Sequence, residues 1–151
     1  GVVSRMTEWL DVKDGQKILE IGTGSAWQTA ILSYLVRTGT IYSVEIHSEL
    51  VKFARENLEK FRLNNTHVIL GDGSLGYPQS SPYDKIIITA ACTEIPLPLL
   101  EQLAENGLII APVGDSSQSL VLLKKTSEGI VEIKNQSNYI FVPLLGKFGK
   151  K

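Results

Sequence analysis

The sequence predicts an α/β fold, a mostly parallel sheet that finishes in antiparallel strands. Three features carry that reading. Short apolar runs alternate with amphipathic stretches along the chain. The first such run is followed at once by a glycine pair, Gly22-Thr23-Gly24, and a helical stretch. After Gly114 the texture changes to strand-like segments joined by short turns. A length of 151 residues with 43% hydrophobic and 21% charged residues fits a single domain, residues 1–151, able to bury a core without a disulfide or metal.

The elements follow in order. Val2-Val3-Ser4-Arg5-Met6-Thr7-Glu8-Trp9-Leu10 reads as a helix already under way. Residues 17–21 are the first strand, 25–36 a helix and 39–44 a second strand, with crossovers short enough for right-handed parallel units. Over 48–61 the apolar positions Val51, Ala54, Leu58 and Phe61 recur at helical spacing. Lys52, Glu56 and Lys60 line another face, which reads as solvated surface. Residues 66–70, 85–89 and 107–113 supply three more strands. The unbroken Ile86-Ile87-Ile88 suits a strand covered on both faces near the middle of the sheet. The antiparallel finish is read as strands at 120–123, 130–133 and 139–142, with a turn at Ser127-Glu128-Gly129.

Composition narrows the function. Fifteen Lys and Arg against sixteen Asp and Glu give a net charge of -1, so no global basic field exists for gripping nucleic acid. Cys92 is the single cysteine, which excludes an intramolecular disulfide and points to a cytoplasmic setting. No apolar run approaches the roughly 18 residues of a membrane span, and the first residues lack the basic and apolar regions of a signal peptide.

Ligands of open parallel sheets sit at the carboxyl ends of the strands. Behind the first strand, Gly22 and Gly24 permit a tight turn and close approach to a helix start. A dinucleotide fingerprint would place its third glycine where Trp27 stands, which disfavours a nicotinamide cofactor. Glu20, Glu45 and Asp72 each fall near a strand end, and together they would repel a diphosphate. They would accept a cationic ligand bearing ribose hydroxyls and an amino-substituted ring, and S-adenosylmethionine has all of these. Glu45 lies about 20 residues beyond Gly24, the spacing of a carboxylate that takes both ribose hydroxyls. Asp72 is then placed for the adenine amino group, and Glu20 with the Gly22, Thr23, Gly24 and Ser25 backbone for the methionine part. Taken singly, each carboxylate reads as a turn or cap residue; their order and spacing carry the cofactor reading. Cys92 reads as a small buried hydrophobe, Trp27 as helix packing, and His67 and His47 as ordinary histidines. Of the two, His47 is the one placed to line an adenine pocket.

These residues resemble the protein L-isoaspartate (D-aspartate) O-methyltransferases. The likeness is carried by Ile18-Leu19-Glu20-Ile21-Gly22-Thr23-Gly24-Ser25-Ala26-Trp27-Gln28-Thr29-Ala30, Tyr42-Ser43-Val44-Glu45, Gly71-Asp72-Gly73, Thr89-Ala90-Ala91 with Glu94-Ile95-Pro96, Pro112-Val113-Gly114 and Phe141-Val142-Pro143-Leu144. The resemblance implies a Rossmann-like class I methyltransferase fold and methyl transfer from S-adenosylmethionine to the α-carboxylate of isoaspartyl residues in damaged proteins. By carry-over, Gly22, Gly24 and Ser25 would hold the methionine part, Glu45 and Ile46 the ribose and adenine flank, and Asp72 and Gly73 the adenine. Thr89, Ala90 and Ala91 with Ile140, Phe141, Val142 and Pro143 would present backbone groups to the isoaspartyl peptide. No metal and no nucleic-acid or membrane partner is expected, and the chain is expected to be a monomer.

Two departures stand out. The family's Gly-Ser-Gly-Tyr is here Gly24-Ser25-Ala26-Trp27. The family also carries an N-terminal segment ending in Ser/Thr-Ile-Ser-x-Pro, whose serine is implicated in catalysis and whose backbone helps cover the cofactor. Alignment on Met6-Thr7-Glu8 ends that motif just before Gly1, and Val3 and Leu145 stand where relatives have cofactor-contacting polar residues. Two competing readings are a methyltransferase for a nucleic acid or small molecule, and a noncatalytic cofactor-binding module.

Overall fold

The computed structural model describes residues 1–150. Its centre is a seven-stranded sheet in the order β3-β2-β1-β4-β5-β6-β7. The strands are β1 (Lys17–Ile21), β2 (Thr40–Glu45), β3 (Thr66–Leu70), β4 (Tyr83–Ile88), β5 (Leu103–Val113), β6 (Gln118–Thr126) and β7 (Gly129–Tyr139). The first five run parallel, while β6 and β7 are antiparallel. Strand order reverses between β1 and β4, so the crevice at their carboxyl ends is the place for a ligand. The triple isoleucine lies on β4, the middle strand, with each of its side chains fully buried.

Helices α1 (Val2–Leu10), α2 (Trp27–Val36) and α3 (Ser48–Lys60) cover one face. Met6, Leu10, Leu32 and Val36 pack there on Ile18, Ile41, Ile87 and Ile110. The other face carries Leu19, Ile21, Ile86, Ile88 and Ile109 beneath Leu99 of the short helix α4 (Leu97–Gln102). Alternation along β4 thus sends Ile87 to one layer and Ile86 and Ile88 to the other. Ile87→Ala should cost about 2–5 kcal/mol of stability, read as a lowered urea midpoint at unchanged slope.

Two expectations need correction. Residues 130–133 and 139–142 are not separate strands: β7 is continuous through the polar stretch Lys134-Asn135-Gln136-Ser137-Asn138. As an exposed edge strand it needs no apolar alternation. Past Asn138, with φ at 75°, Tyr139 makes the last pairing with β6, opposite Gln118, and residues 140–142 belong to a tail that crosses to Ala91 instead. There Ala91 N–H donates to the Val142 carbonyl at 2.6 Å, and Leu144 N–H to the Ala91 carbonyl at 2.7 Å. Helix α4 carries no sequence signal of its own: six residues, with Pro96 at its N-cap and Pro98 in its first turn, leave too short a periodic pattern.

Helix α1 starts at the ligand end of the sheet. Arg5 Nη1 donates to Gln136 Oε1 at 2.9 Å and to Tyr139 Oη at 3.1 Å, and Gln28 Nε2, in the first turn of α2, donates to Thr7 Oγ1 at 2.8 Å. The helix then runs back toward the start of β1. Among the described residues no helix is long and apolar enough to cross a membrane.

Candidate cofactor site

A crevice of about 440 Å³ opens at the carboxyl ends of β1, β2 and β4. Its floor follows from local backbone chemistry. Gly22 has φ at 93°, and a Cβ there would fall 2.5 Å from Thr89 Oγ1. Any larger residue would push out the hydroxyl that donates to the Ile21 and Gly22 carbonyls, both at 2.9 Å. Gly73 is equally confined, its missing Cβ lying 2.5 Å from Ile21 Cγ2. Across the glycine turn, Gly24 N–H donates to Glu45 Oε1 at 3.0 Å and His47 N–H donates to Oε2 at 3.1 Å. The carboxylate is therefore clamped by one backbone donor on each oxygen while keeping acceptor capacity toward the crevice.

Of the residues singled out from the sequence, Gly22, Gly24, Glu45, Ile46, Gly73, Thr89, Ala90, Val142 and Pro143 line this crevice. His47 and Leu145 line it too, as do Ile21, Val44, Leu50 and Leu144, which the sequence reading passed over. Strand alternation holds the signal for Ile21 and Val44, and helical spacing past Glu45 for Leu50; Leu144 belongs to the motif Phe141-Val142-Pro143-Leu144, but its place on the crevice comes from pairing with Ala91.

Other placements are corrected by the geometry. Glu20 is not part of the wall: alternation along β1 turns it under α2, fully buried. There Thr29 Oγ1 donates to its Oε1, as does Ser43 Oγ at 2.6 Å, and Ser43 Oγ also meets Thr23 Oγ1 at 2.5 Å. Thr23 is consumed in that buried cluster rather than facing the crevice. Burial pushes the Glu20 carboxyl up to about 7, with the Ser43 and Thr29 hydroxyls pulling the other way and Glu45 adding a like charge. Ser25 is exposed outside the crevice, its carbonyl taking a bond from Asn57 Nδ2 at 2.9 Å. Ile140 is 84% exposed and does not line the crevice. Ala91 and Phe141 line a neighbouring cleft of about 720 Å³, which shares Pro143 and Leu144 with the crevice.

Asp72 is also engaged elsewhere. Its Oδ1 accepts from Ser74 N–H at 2.9 Å and Ser74 Oγ at 2.6 Å, and its Oδ2 accepts from Lys147 N–H at 2.8 Å. The side chain anchors the tail, so Glu45 alone of the three carboxylates faces the crevice. Burial raises the Asp72 carboxyl, but the bonds from Ser74 and Lys147 outweigh it and hold the group below its usual value. A depressed folded value means the anchor is intact above the ordinary ~3.9 of an unfolded aspartate and is lost as pH falls through the folded value. Amide exchange at Lys147 and Phe148 should rise in that acidic window, and Asp72→Asn should raise it at neutral pH.

Cys92 is buried, its thiol pushed up to about 12 by burial, and its Sγ donates to the Pro112 carbonyl at 3.5 Å. It packs; it is no nucleophile.

The crevice combines a clamped carboxylate, apolar walls and a glycine turn open to close approach. Those are fittings for a nucleoside with free ribose hydroxyls and no diphosphate. The decisive observation is a family match: the model for protein-L-isoaspartate(D-aspartate) O-methyltransferase (PCMT) aligns with residues 1–149. The chain belongs to the protein-L-isoaspartate(D-aspartate) O-methyltransferase family. A Pyrococcus horikoshii protein-L-isoaspartate O-methyltransferase is 48% identical over 98% of this chain, which spans 68% of that relative. A solved protein-L-isoaspartate O-methyltransferase superposes with a TM-score of 0.90 at 30% identity over 98% of this chain, which spans 48% of the solved one. A Plasmodium falciparum structure assigned to the same family, 23% identical, superposes with a TM-score of 0.79, covering 95% of this chain and 71% of its own, and bears on the fold.

Proposed function

We propose that the chain is a protein-repair methyltransferase that methylates the α-carboxylate of isoaspartyl residues with S-adenosylmethionine as methyl donor. Glu45 carries the reading: a buried carboxylate, held by Gly24 and His47 N–H groups, faces a crevice whose glycine turn admits close backbone approach. Support comes from the family assignment and from the Plasmodium falciparum structure, which is a complex with S-adenosyl-L-homocysteine. The bound donor supplies a methyl group on a sulfonium, an electrophile that needs no activation by the protein.

The residues of the chain then bind, orient and exclude water. Glu45 would accept the ribose hydroxyls, Ile46, His47 and Leu50 would flank the base, and Gly22, Gly24 and Gly73 leave room for a ligand against backbone. A substrate carboxylate with a pKa near ~4 is already an anion at neutral pH, so positioning, not a general base, is the task. Pro143 and Leu144 form a wall shared with the neighbouring cleft, and that cleft, with Ala91 and Phe141, is where the damaged peptide would lie. The chain would act as a cytoplasmic monomer.

Calorimetric titration with S-adenosylmethionine, its demethylated product and NAD tests the cofactor, and radiolabelled transfer to matched isoaspartyl and aspartyl peptides tests the acceptor. Binding of both adenosyl ligands with transfer to isoaspartyl alone is expected. Tighter binding of NAD, or transfer to RNA or a metabolite instead, would overturn the reading.

A further inference from the structure

Glu20 is a buried ionisable group that the proposed chemistry leaves without a task. It is fully buried, both hydroxyl donors reach only Oε1, and Oε2 has no hydrogen-bond partner among the described residues. An ionised carboxylate with one bare oxygen in an apolar layer is far more costly than the protonated group in the same place. The hydroxyl cluster also ties it to the crevice: Ser43 links Glu20 to Thr23, and Thr23 sits between the two glycines of the floor. The groups packed around it offer no cation. On α2 the facing side chain is Thr29, on β2 Ser43 with Glu45 beyond it, on β4 the register partner is Ile87, and α1 brings Met6 and Leu10 to that layer. Among charged groups Glu45 is the one acting on Glu20, and its charge is of like sign.

We propose that Glu20 is a proton-linked positioning residue: it is neutral while the crevice lacks a cation and gives its Oε2 proton to solvent when a sulfonium ligand binds above the Gly22–Gly24 turn. The inference rests on the cofactor reading above. A positive charge brought into a poorly screened site favours the carboxylate form of a nearby acid. By linkage the ligand must then bind more tightly as pH rises through the value of the free group. Burial places that value close to neutrality, with Ser43 and Thr29 opposing. The thioether product lacks the sulfonium charge, so it should shift Glu20 less.

Calorimetry of the full chain in buffers of different ionisation enthalpy reads the released proton directly. With S-adenosylmethionine, release of about half a proton at pH 7 and close to one at pH 6 is expected, with affinity falling up to about tenfold per pH unit below 7. The thioether product should release distinctly less. Glu20→Gln, which imitates the neutral acid, should abolish the excess release and flatten the pH dependence. Carbon-13 observation of the Glu20 side-chain carboxyl in the wild-type chain follows the same proton without relying on the variant. A carboxyl signal that titrates near neutrality in the free chain and stays ionised in the complex is the expected result. Binding of S-adenosylmethionine with equal proton release in wild type and Glu20→Gln, or a Glu20 signal unmoved by the ligand, overturns this inference and leaves the cofactor reading standing. Absence of any binding overturns both.

Discussion

Replacing Glu45 by alanine should weaken S-adenosylmethionine binding by one to several orders of magnitude. Each hydrogen bond from a ribose hydroxyl to a charged acceptor is worth roughly 1.5–3 kcal/mol, and two would be lost together. The structure adds a second loss, because the carboxylate also receives Gly24 and His47 N–H. Without it, two backbone donors at the crevice floor lose their partner and the glycine turn loses its clamp across to β2. Glu45→Gln should fall between, keeping one carbonyl acceptor but presenting an amide donor where an acceptor is needed. Calorimetry on the three proteins, with thermal midpoints as a check on folding, measures this. An unchanged dissociation constant in a folded Glu45→Ala protein would reduce Glu45 to a strand-end residue.

Joining the chain to a segment ending in Ser/Thr-Ile-Ser-x-Pro should raise methyl transfer to an isoaspartyl peptide by ~100-fold or more, the scale on which placement of reacting groups acts. Direction supports the effect. Arg5 and Thr7 are tied to Tyr139, Gln136 and Gln28, so a chain entering α1 does so at the ligand end of the sheet. The exposed Trp27, Ile140 and Val142 stand on that end as well, at 62%, 84% and 72% exposure. A covering segment would exclude water and fix the substrate carboxylate relative to the methyl group. Cofactor affinity, carried by the glycine turn and Glu45, should change far less than turnover. Single-turnover transfer measured beside cofactor affinity in both forms separates the two, and equal transfer rates would show the segment to be dispensable.

Much of this architecture is legible in the sequence because it follows period and punctuation. Residues 17–21 and 66–70 are strands within the bounds read, and the three buried isoleucines lie on the middle strand. Of the edge strand β7, residues 130–133 are marked by apolar side chains, but its continuation through the polar stretch to Tyr139 is not, because solvent on both faces removes the apolar pattern that marks a strand. At the site, the glycine turn and Glu45 were visible because backbone freedom and strand-end charge are local properties. Glu20 and Asp72 carry the same charge at similar strand ends, yet one turns beneath α2 and the other binds the tail. Which face a strand-end carboxylate takes depends on partners such as Thr29 and Lys147, and those lie beyond local pattern. Leu144 is the extreme case, brought to the crevice by pairing with Ala91 across the whole of β5, β6 and β7.

That pairing sets an order of events during synthesis. The glycine turn, Glu45 and Thr89 emerge early, and β1 to β4 can pair before the last strands exist. The crevice nevertheless lacks a wall until residues 142–145 arrive, with Val142 and Leu144 pairing with Ala91 and Lys147 just beyond them bonding to Asp72. A nascent chain can thus hold its central sheet without a finished ligand site, so competence to bind is gained only once the segment after β7 has been made and has paired with Ala91.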